Sequence, residues 1–212
     1  MNENEASSRA HIPAIEVSGE INEEHLMSEV KRYLNRPDAL EVVLVDLYRK
    51  IRLDDGKFSR TSLDIALLAM EQYTDNKKIQ INGTAILYYL VRNCLNSGAE
   101  NISVKQKVIS TLLNVMYAHR HDTVIVRNGC LIVCQFQLPH DVKFEYEKLM
   151  KILLFIVSEH SCDQGLFNQR AGIMLLNSLV VQVDGPQKLL VGNLGAMEKM
   201  LDVIRTKLHL DI

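Results

Sequence analysis

The sequence predicts an all-α fold: an armadillo- or HEAT-like helical solenoid with a repeat of about 43–46 residues. Three observations predict it. Helix breakers are scarce, with four Pro and ten Gly in 212 residues. One pattern recurs along the chain: an amphipathic segment, a polar turn and a nearly all-apolar segment. Short alternating strands with regular turn signals, which a sandwich or barrel needs, are absent from the sequence.

The repeat is marked by the dipeptide Asn-Gly, which ends at Gly83 and at Gly129 and precedes a dense apolar run each time. Asn-Gly between apolar runs ordinarily predicts a hairpin, and a strand reading is the alternative here. The two glycines lie 46 positions apart, as do Met70 and Met116 upstream, and Gly172 follows Gly129 by 43. We therefore predict that each glycine lies early in a buried helix. Because glycine has no Cβ, a neighbouring helix could approach closely at this position. The Asn before each glycine is expected to be more dispensable than the glycine itself.

The order of segments predicts a disordered, polar tail over residues 1–10 and one helical repeat domain over residues 11–212. A first helix is expected to be capped by Asn22, and a second to begin at Pro37. The segment from Gly195 to Leu208 is expected to begin a fourth copy of the pattern.

The chain is expected to stop inside the array. Adding the repeat length to Gly172 places the next apolar helix near position 215, beyond Ile212. The final residues, LHLDI, also lack the polar face of a capping repeat. The sequence therefore predicts an array that is cut short at the C-terminus.

Composition and charge narrow the class of function. A formal net charge of -2 argues against a nucleic-acid platform, which usually carries a basic face. The first residues lack an apolar signal segment, and no apolar run reaches the roughly 18 residues of a membrane span. We expect a cytoplasmic or nuclear protein in a reducing compartment that binds neither nucleic acid nor membrane.

Two groups of residues have types that could bind a metal. Cys130 and Cys134 are four positions apart, so they share a helix face, but their apolar neighbours favour core packing. His119 and His121 with Asp122 lie at a turn, where a solvated loop is the expected structure. No catalytic, cofactor-binding, metal-binding or substrate-binding residue is assigned, and the chain is not expected to be an enzyme.

Several other features are expected to carry no site chemistry. The turn His160-Ser161-Cys162 is expected to reflect repeat geometry, and the glycines near Gly192 to precede a helix start. The carboxylates Glu41 with Asp46 and Asp54 with Asp55 are expected to lie on a solvated surface. Met70, Met116, Met150 and Met174 are expected to lie in the core. Glu147 and Lys151 are expected to pair on an exposed helix face.

Four segments together resemble the Zyg-eleven and Zyg-eleven-related (Zer) family, substrate receptors of cullin-two RING ubiquitin ligases. They are HIPAIEVSGEINEEHL from His11, KKIQINGTAILYYL from Lys77, VRNGCLIVCQFQLPHDVKFEYEKLMKILL from Val126 and NSLVVQVDGPQKLLVGNLGAMEKMLDVIRTKL from Asn177. The resemblance covers about nine tenths of the chain, in order, and is greatest to the Zer branch. It corresponds to the N-terminal part of the family's armadillo-like region.

The resemblance implies a non-catalytic scaffold of the ubiquitin-conjugation pathway, within a receptor that recognises N-terminal glycine degrons. The full-length family implies cullin-two, Elongin B/C and substrates with an N-terminal glycine as partners. It also implies a pocket built around a Trp-Asn-x-x-Asp motif, and this chain contains no Trp. The degron pocket is therefore expected to be missing from this chain. The alternative is a generic armadillo-type adaptor for transport or the cytoskeleton, unrelated to ubiquitin.

Overall fold

The computed structural model of the chain describes residues 23–54, 60–94, 102–159 and 163–210, and these residues form helices without any strand. The helices are α1 (Glu23–Tyr33), α2 (Pro37–Leu53), α3 (Arg60–Gln72), α4 (Lys77–Cys94), α5 (Ile102–Ala118), α6 (Thr123–Val133), α7 (Tyr146–Ser158), α8 (Asp163–Val181), α9 (Gly185–Asn193) and α10 (Ala196–Leu210). A 3₁₀ helix, His140–Glu145, precedes α7. The predicted all-α class is confirmed. The predicted tail and the cap Asn22 lie outside the described residues.

The helices pack in two rows. The first row contains α1, α3, α5, α7 and α10, and each of these helices packs against the next one in the row. The second row contains α2, α4, α6 and α8, which pack against one another in the same order. Each helix of the second row also packs against the first-row helix that precedes it in sequence. A buried apolar core therefore runs between the rows, as in a helical solenoid.

Both Asn-Gly dipeptides lie inside helices, in α4 and in α6, so the hairpin alternative is wrong. A Cβ built on Gly83 would lie 2.5 Å from the Cγ atom of Met70 on α3. At Gly129 it would lie 2.7 Å from the Cγ atom of Met116 on α5. Gly172 is less tight, at 3.1 Å from Val157 Cγ2. The glycines therefore permit close packing between the two rows, as the sequence predicted.

The methionines follow the prediction with one exception. Met70, Met116 and Met150 are completely buried. Met174 is 71% exposed on α8, so its predicted core position is wrong. Its neighbours Leu175 and Leu176 are buried instead, because a helix turns by about 100° at each residue. In a nearly all-apolar helix, the sequence therefore does not show which apolar side chains face the core and which face solvent.

Equivalent polar caps begin α4 and α6, 46 positions apart in the sequence. The Oδ1 atom of Asn76 accepts hydrogen bonds from the backbone N–H of Lys78 and Ile79, at 3.0 and 3.2 Å. The Oδ1 atom of Asp122 accepts from the N–H of Val124 and Ile125, both at 3.0 Å. These side chains satisfy N–H groups that lack a partner within the helix, so they fix where each second-row helix begins.

Candidate interaction surface

The second-row surface, defined here as the partly exposed side chains of α2, α4, α6 and α8, is the candidate interaction surface. The stretches Lys77–Cys94 and Thr123–Val133, which form α4 and α6, contain no acidic residue. Exposed arginines occur on all four of its helices, including Arg49, Arg92, Arg127 and Arg170. Stacked helices place such side chains side by side, so residues far apart in sequence form one continuous surface.

An arginine on an aromatic ring connects α6 to α8. The guanidinium carbon of Arg127 lies 4.7 Å from the ring centroid of Phe167, which is 44% exposed. This is a cation–π geometry, and Arg127 itself is exposed. The pair presents a positive charge and an apolar ring together at the surface.

A hydrogen bond between side chains connects α6 to α4. The Nδ2 atom of Asn128 donates to the Oγ1 atom of Thr84 at 3.1 Å, and the Thr84 hydroxyl donates to the carbonyl of Gln80 at 2.8 Å. The Asn of the second Asn-Gly pair was expected to be the more dispensable residue. It instead links two helices, and the sequence contained no signal for this because its partner lies 44 positions away.

Three tyrosines form a cluster between α2 and α4. The ring centroids of Tyr48 and Tyr89 lie 6.2 Å apart, and those of Tyr88 and Tyr89 lie 5.3 Å apart in an edge-to-face arrangement. The Nε2 atom of Gln135 donates to the carbonyl of Tyr88 at 3.2 Å, which ties this cluster to the end of α6. Half-buried tyrosines offer rigid contact area and a polar hydroxyl, which suits protein recognition.

The two cysteines of α6 have different environments. Cys130 is completely buried, and burial, with a smaller contribution from Cys134, raises the pKa of its thiol to about 12. Cys134 caps the C-terminus of the helix and is exposed, so its predicted place in the core is wrong. Partial burial also raises the pKa of Cys134. Burial therefore disfavours the thiolate of both residues, and the thiolate is the form that acts as a nucleophile and a metal ligand.

The residues His119, His121 and Asp122 serve three separate contacts. The Nε2 atom of His119 lies 2.7 Å from the carbonyl oxygen of Thr74, and the Nδ1 atom of His121 lies 2.7 Å from Glu159 Oε1. These residues lie in the turn between α5 and α6, as the sequence predicted, and His121 is exposed. His119 is half-buried, because it bonds to the turn before α4.

Asp122 adds an ion pair to its capping role. Its Oδ2 atom lies 2.6 Å from the Nζ atom of Lys77 at the start of α4. Burial by itself raises the pKa of Asp122, but hydrogen bonds from Lys77 and from the N–H of Ile125 and Val124 outweigh burial. The pKa of this carboxyl is therefore lowered below its ordinary value of 3.8. The residue stabilises two successive second-row helices.

The remaining candidates also have structural contacts. Glu41 accepts a hydrogen bond from Asn76 Nδ2 at 3.0 Å and pairs with Lys78 at 3.2 Å. Asp46 pairs with Arg49, so Glu41 and Asp46 bind different partners, and Asp54 pairs with Lys50. Gly192 lies near the end of α9, and the predicted helix start follows it at Ala196. Asp55 and the turn His160-Ser161-Cys162 lie outside the described residues.

Within the described ranges, no three His, Cys, Asp or Glu side chains lie close enough to hold a metal ion. None of the helices in those ranges is both long enough and apolar enough to cross a bilayer. The second-row surface offers guanidinium groups, amides, aromatic rings and apolar side chains. This arrangement can bind a polypeptide chain.

Comparison with known proteins gives consistent matches. Residues 68–212 match the family described as "Protein zer-1 homolog-like, C-terminal domain". The chain is 42% identical to "Protein zer-1 homolog" of Drosophila melanogaster over 203 residues, which is 96% of this chain and 25% of that protein. It is 36% identical to "Zyg eleven-related protein 1" of Caenorhabditis elegans over 205 residues, 95% of this chain and 22% of that protein.

The similarity extends to mammals. The chain is 31% identical to "Protein zer-1 homolog" of Homo sapiens over 207 residues, 97% of this chain and 26% of that protein. The chain therefore spans about a quarter of the length of the curated relatives it matches. No solved structure matches it at a significant level.

Proposed function

Because the chain belongs to the zer-1 homolog-like family, we propose that it is a non-catalytic protein-interaction scaffold of a cullin-RING ubiquitin-ligase substrate receptor. The observation that carries this proposal is the family match over residues 68–212. The two-row packing supports it, because stacked helices present long surfaces for protein partners. A receptor of this kind positions a substrate and leaves the chemistry to other subunits.

The proposed partners are those that the family resemblance implies. In the full-length protein they are cullin-two, Elongin B/C and substrates that expose an N-terminal glycine. The proposed compartment is the reducing cytoplasm or nucleus. The second-row surface is our candidate for contacts with polypeptides, because it combines arginines, half-buried tyrosines and the amide of Asn128.

A first experiment tests membership of the ligase. The full-length gene product that contains this chain is tagged, expressed in cells of its own species and purified under mild conditions. We expect cullin-two and Elongin B/C to co-purify. If both are absent while the protein is folded and abundant, the ubiquitin-ligase proposal is wrong and the generic adaptor is the better description.

A second experiment tests where the glycine pocket lies. The proposal is that this chain supplies scaffold and lacks the pocket, since it contains no Trp for the Trp-Asn-x-x-Asp motif. We expect calorimetry with a Gly-starting peptide to detect no binding to the 212-residue chain and clear binding to the full-length protein. Micromolar binding to the chain itself, lost when the peptide N-terminus is acetylated, would place the pocket within it.

A further inference from the structure

A groove on the first row combines cationic and apolar side chains in one concave site. It lies between α5, α7 and α10, has a volume of about 390 Å³, and is called the basic groove here. Its side chains combine an apolar floor with a cationic rim: Tyr117, Phe155, Leu194, Arg120, Lys151 and Lys199. Because α10 follows α5 by some eighty positions, only the packed fold assembles this groove.

Arg120 is held in position at the rim by two aromatic rings. Its guanidinium carbon lies 5.5 Å from the ring centroid of Tyr117 and 5.3 Å from that of Phe155. Its Nη1 atom donates to the carbonyl of Tyr117 at 3.3 Å. A guanidinium has five N–H donors, so donors remain for a ligand after this bond. A guanidinium fixed in advance loses less side-chain entropy when it binds a carboxylate.

The residues that line the basic groove carry more positive than negative charge. None of the described side chains that line it is acidic, whereas three are cationic. Lys151 pairs with Glu147 on the same helix at 2.6 Å. Lys199 has no ion-pair partner among the described residues. Arg120 and Lys199 therefore leave positive charge beside an apolar floor, which is complementary to an anionic, partly apolar ligand.

A second groove continues the first along α5 and α7. It shares Tyr117 and Lys151 with the basic groove, has a volume of about 440 Å³ and is also lined by Phe144, which is 46% exposed. Its other lining residues are Glu145, Glu147 and Lys148, so the surplus of positive charge is confined to the basic groove. Tyr117 is 56% exposed at the junction of the two grooves. Exposed aromatic side chains in a continuous groove provide apolar contact for several residues of an extended chain.

We propose that the basic groove binds an acidic linear segment of a partner protein. Carboxylates of the segment contact Arg120 and Lys199, and a bulky apolar side chain packs on Tyr117 and Phe155. The site is independent of the proposed glycine recognition, because a cationic rim repels a free N-terminal ammonium group. A failure of one proposal therefore leaves the other untouched.

The test measures binding of a peptide to the 212-residue chain. The probe is a fluorescein-labelled, N-acetylated peptide of alternating Glu, Leu and Phe. Its binding is measured by fluorescence anisotropy at low salt. We expect micromolar binding that weakens as salt is added, because the contacts are partly ionic. Lys199→Glu and Arg120→Ala are each expected to weaken binding about tenfold. Lys199→Glu breaks no ion pair or side-chain hydrogen bond between described residues, so its fold is expected to be intact by circular dichroism.

Two controls make the result specific. Lys188→Glu makes the same charge change on the exposed side of α9, outside the groove lining, and is expected to leave binding nearly unchanged. A peptide with Gln in place of Glu is expected to bind at least tenfold more weakly. The proposal is overturned if the acidic peptide does not bind, if the Gln peptide binds equally well, or if Lys188→Glu weakens binding as much as Lys199→Glu.

Discussion

Gly129 lies against Met116 so closely that a Cβ on the glycine would come within 2.7 Å of the Met116 Cγ atom. Met116 is completely buried between the two rows, so its side chain has no open space to enter. The equivalent contact between Gly83 and Met70 is 46 positions earlier in the chain. In both places the flexible, unbranched side chain of the methionine fills the space that the missing side chain of the glycine leaves.

Gly129→Ala is expected to destabilise the chain by about 1 kcal/mol. The better helix propensity of Ala contributes about 1 kcal/mol in favour, and overpacking of a filled core costs about 1–3 kcal/mol. Urea unfolding followed by circular dichroism measures the difference. The same substitution at Gly192, where a Cβ would meet nothing within 4 Å, is the matched control and is expected to be neutral or stabilising.

A double-mutant cycle locates the cause of the Gly129 effect. In a Met116→Ala background the contact is gone, so adding Gly129→Ala is expected to be neutral or stabilising. If the penalty is the same in both backgrounds, the packing explanation is wrong. A Gly129→Ala variant that is as stable as Gly192→Ala would contradict it equally.

Asp122→Ala is expected to lower the free energy of unfolding by about 1–2 kcal/mol, the usual cost of losing an N-cap. The side chain accepts two backbone hydrogen bonds and pairs with Lys77 from the preceding second-row helix. Asp184→Ala is the comparison, since Asp184 caps the shorter α9 through one hydrogen bond, pairs with Lys143 at 3.4 Å and has a side chain that is 50% exposed. Equal losses at the two positions would show that the second capping bond and the shorter, more buried ion pair of Asp122 add nothing.

Asp122→Asn separates the charge of this residue from its capping oxygen. The pKa of Asp122 is lowered in the folded chain, so the charge stabilises the fold above the ordinary value of 3.8, and this stabilisation is lost as pH falls through the lowered pKa. We expect the wild type to be more stable than Asp122→Asn by about 1 kcal/mol at neutral pH. We expect the difference in urea midpoint between the wild type and Asp122→Asn to shrink as the pH is lowered from 7 to strong acid.

The two cysteines of α6 are expected to differ in reactivity. Cys134 is exposed, whereas Cys130 is completely buried with a pKa raised to about 12. Iodoacetamide followed by peptide mass spectrometry is expected to find Cys134 modified long before Cys130 in the native chain, and both modified in urea. Modification of Cys130 at the same rate as Cys134 under native conditions would mean that α6 opens far more easily than its packing implies.

The fold class was predictable because it depends on local patterns. The sequence predicted helices at the Asn-Gly dipeptides, although Asn-Gly ordinarily indicates a hairpin. The regular spacing of Gly83, Gly129 and Gly172, with matched apolar segments, was enough for this prediction. The start of α2 at Pro37 and the ion pair between Glu147 and Lys151 were predictable for the same reason. A cap or a pair four positions apart depends only on the geometry of one helix.

The candidate surfaces were much less predictable. The sequence predicted core packing for both Cys130 and Cys134, and Cys134 proved to be exposed at the end of its helix. The sequence did not indicate the cation–π contact between Arg127 and Phe167. Nor did it indicate the hydrogen bond from Asn128 to Thr84. A Tyr three positions before an Arg, as at Tyr117 and Arg120, was a local signal, but it did not show that Phe155 completes the stack.

The sequence by itself determined that the chain is helical, that α2 begins at Pro37, and which glycines lie against a neighbouring helix. These follow from side-chain periodicity and from groups a few positions apart, which the backbone of one helix brings together. Only the tertiary structure decided which side chain of an apolar helix faces out, as at Met174, and which distant residues meet, as Arg120 and Lys199 do. The packing of whole helices sets those contacts, and no local pattern specifies it.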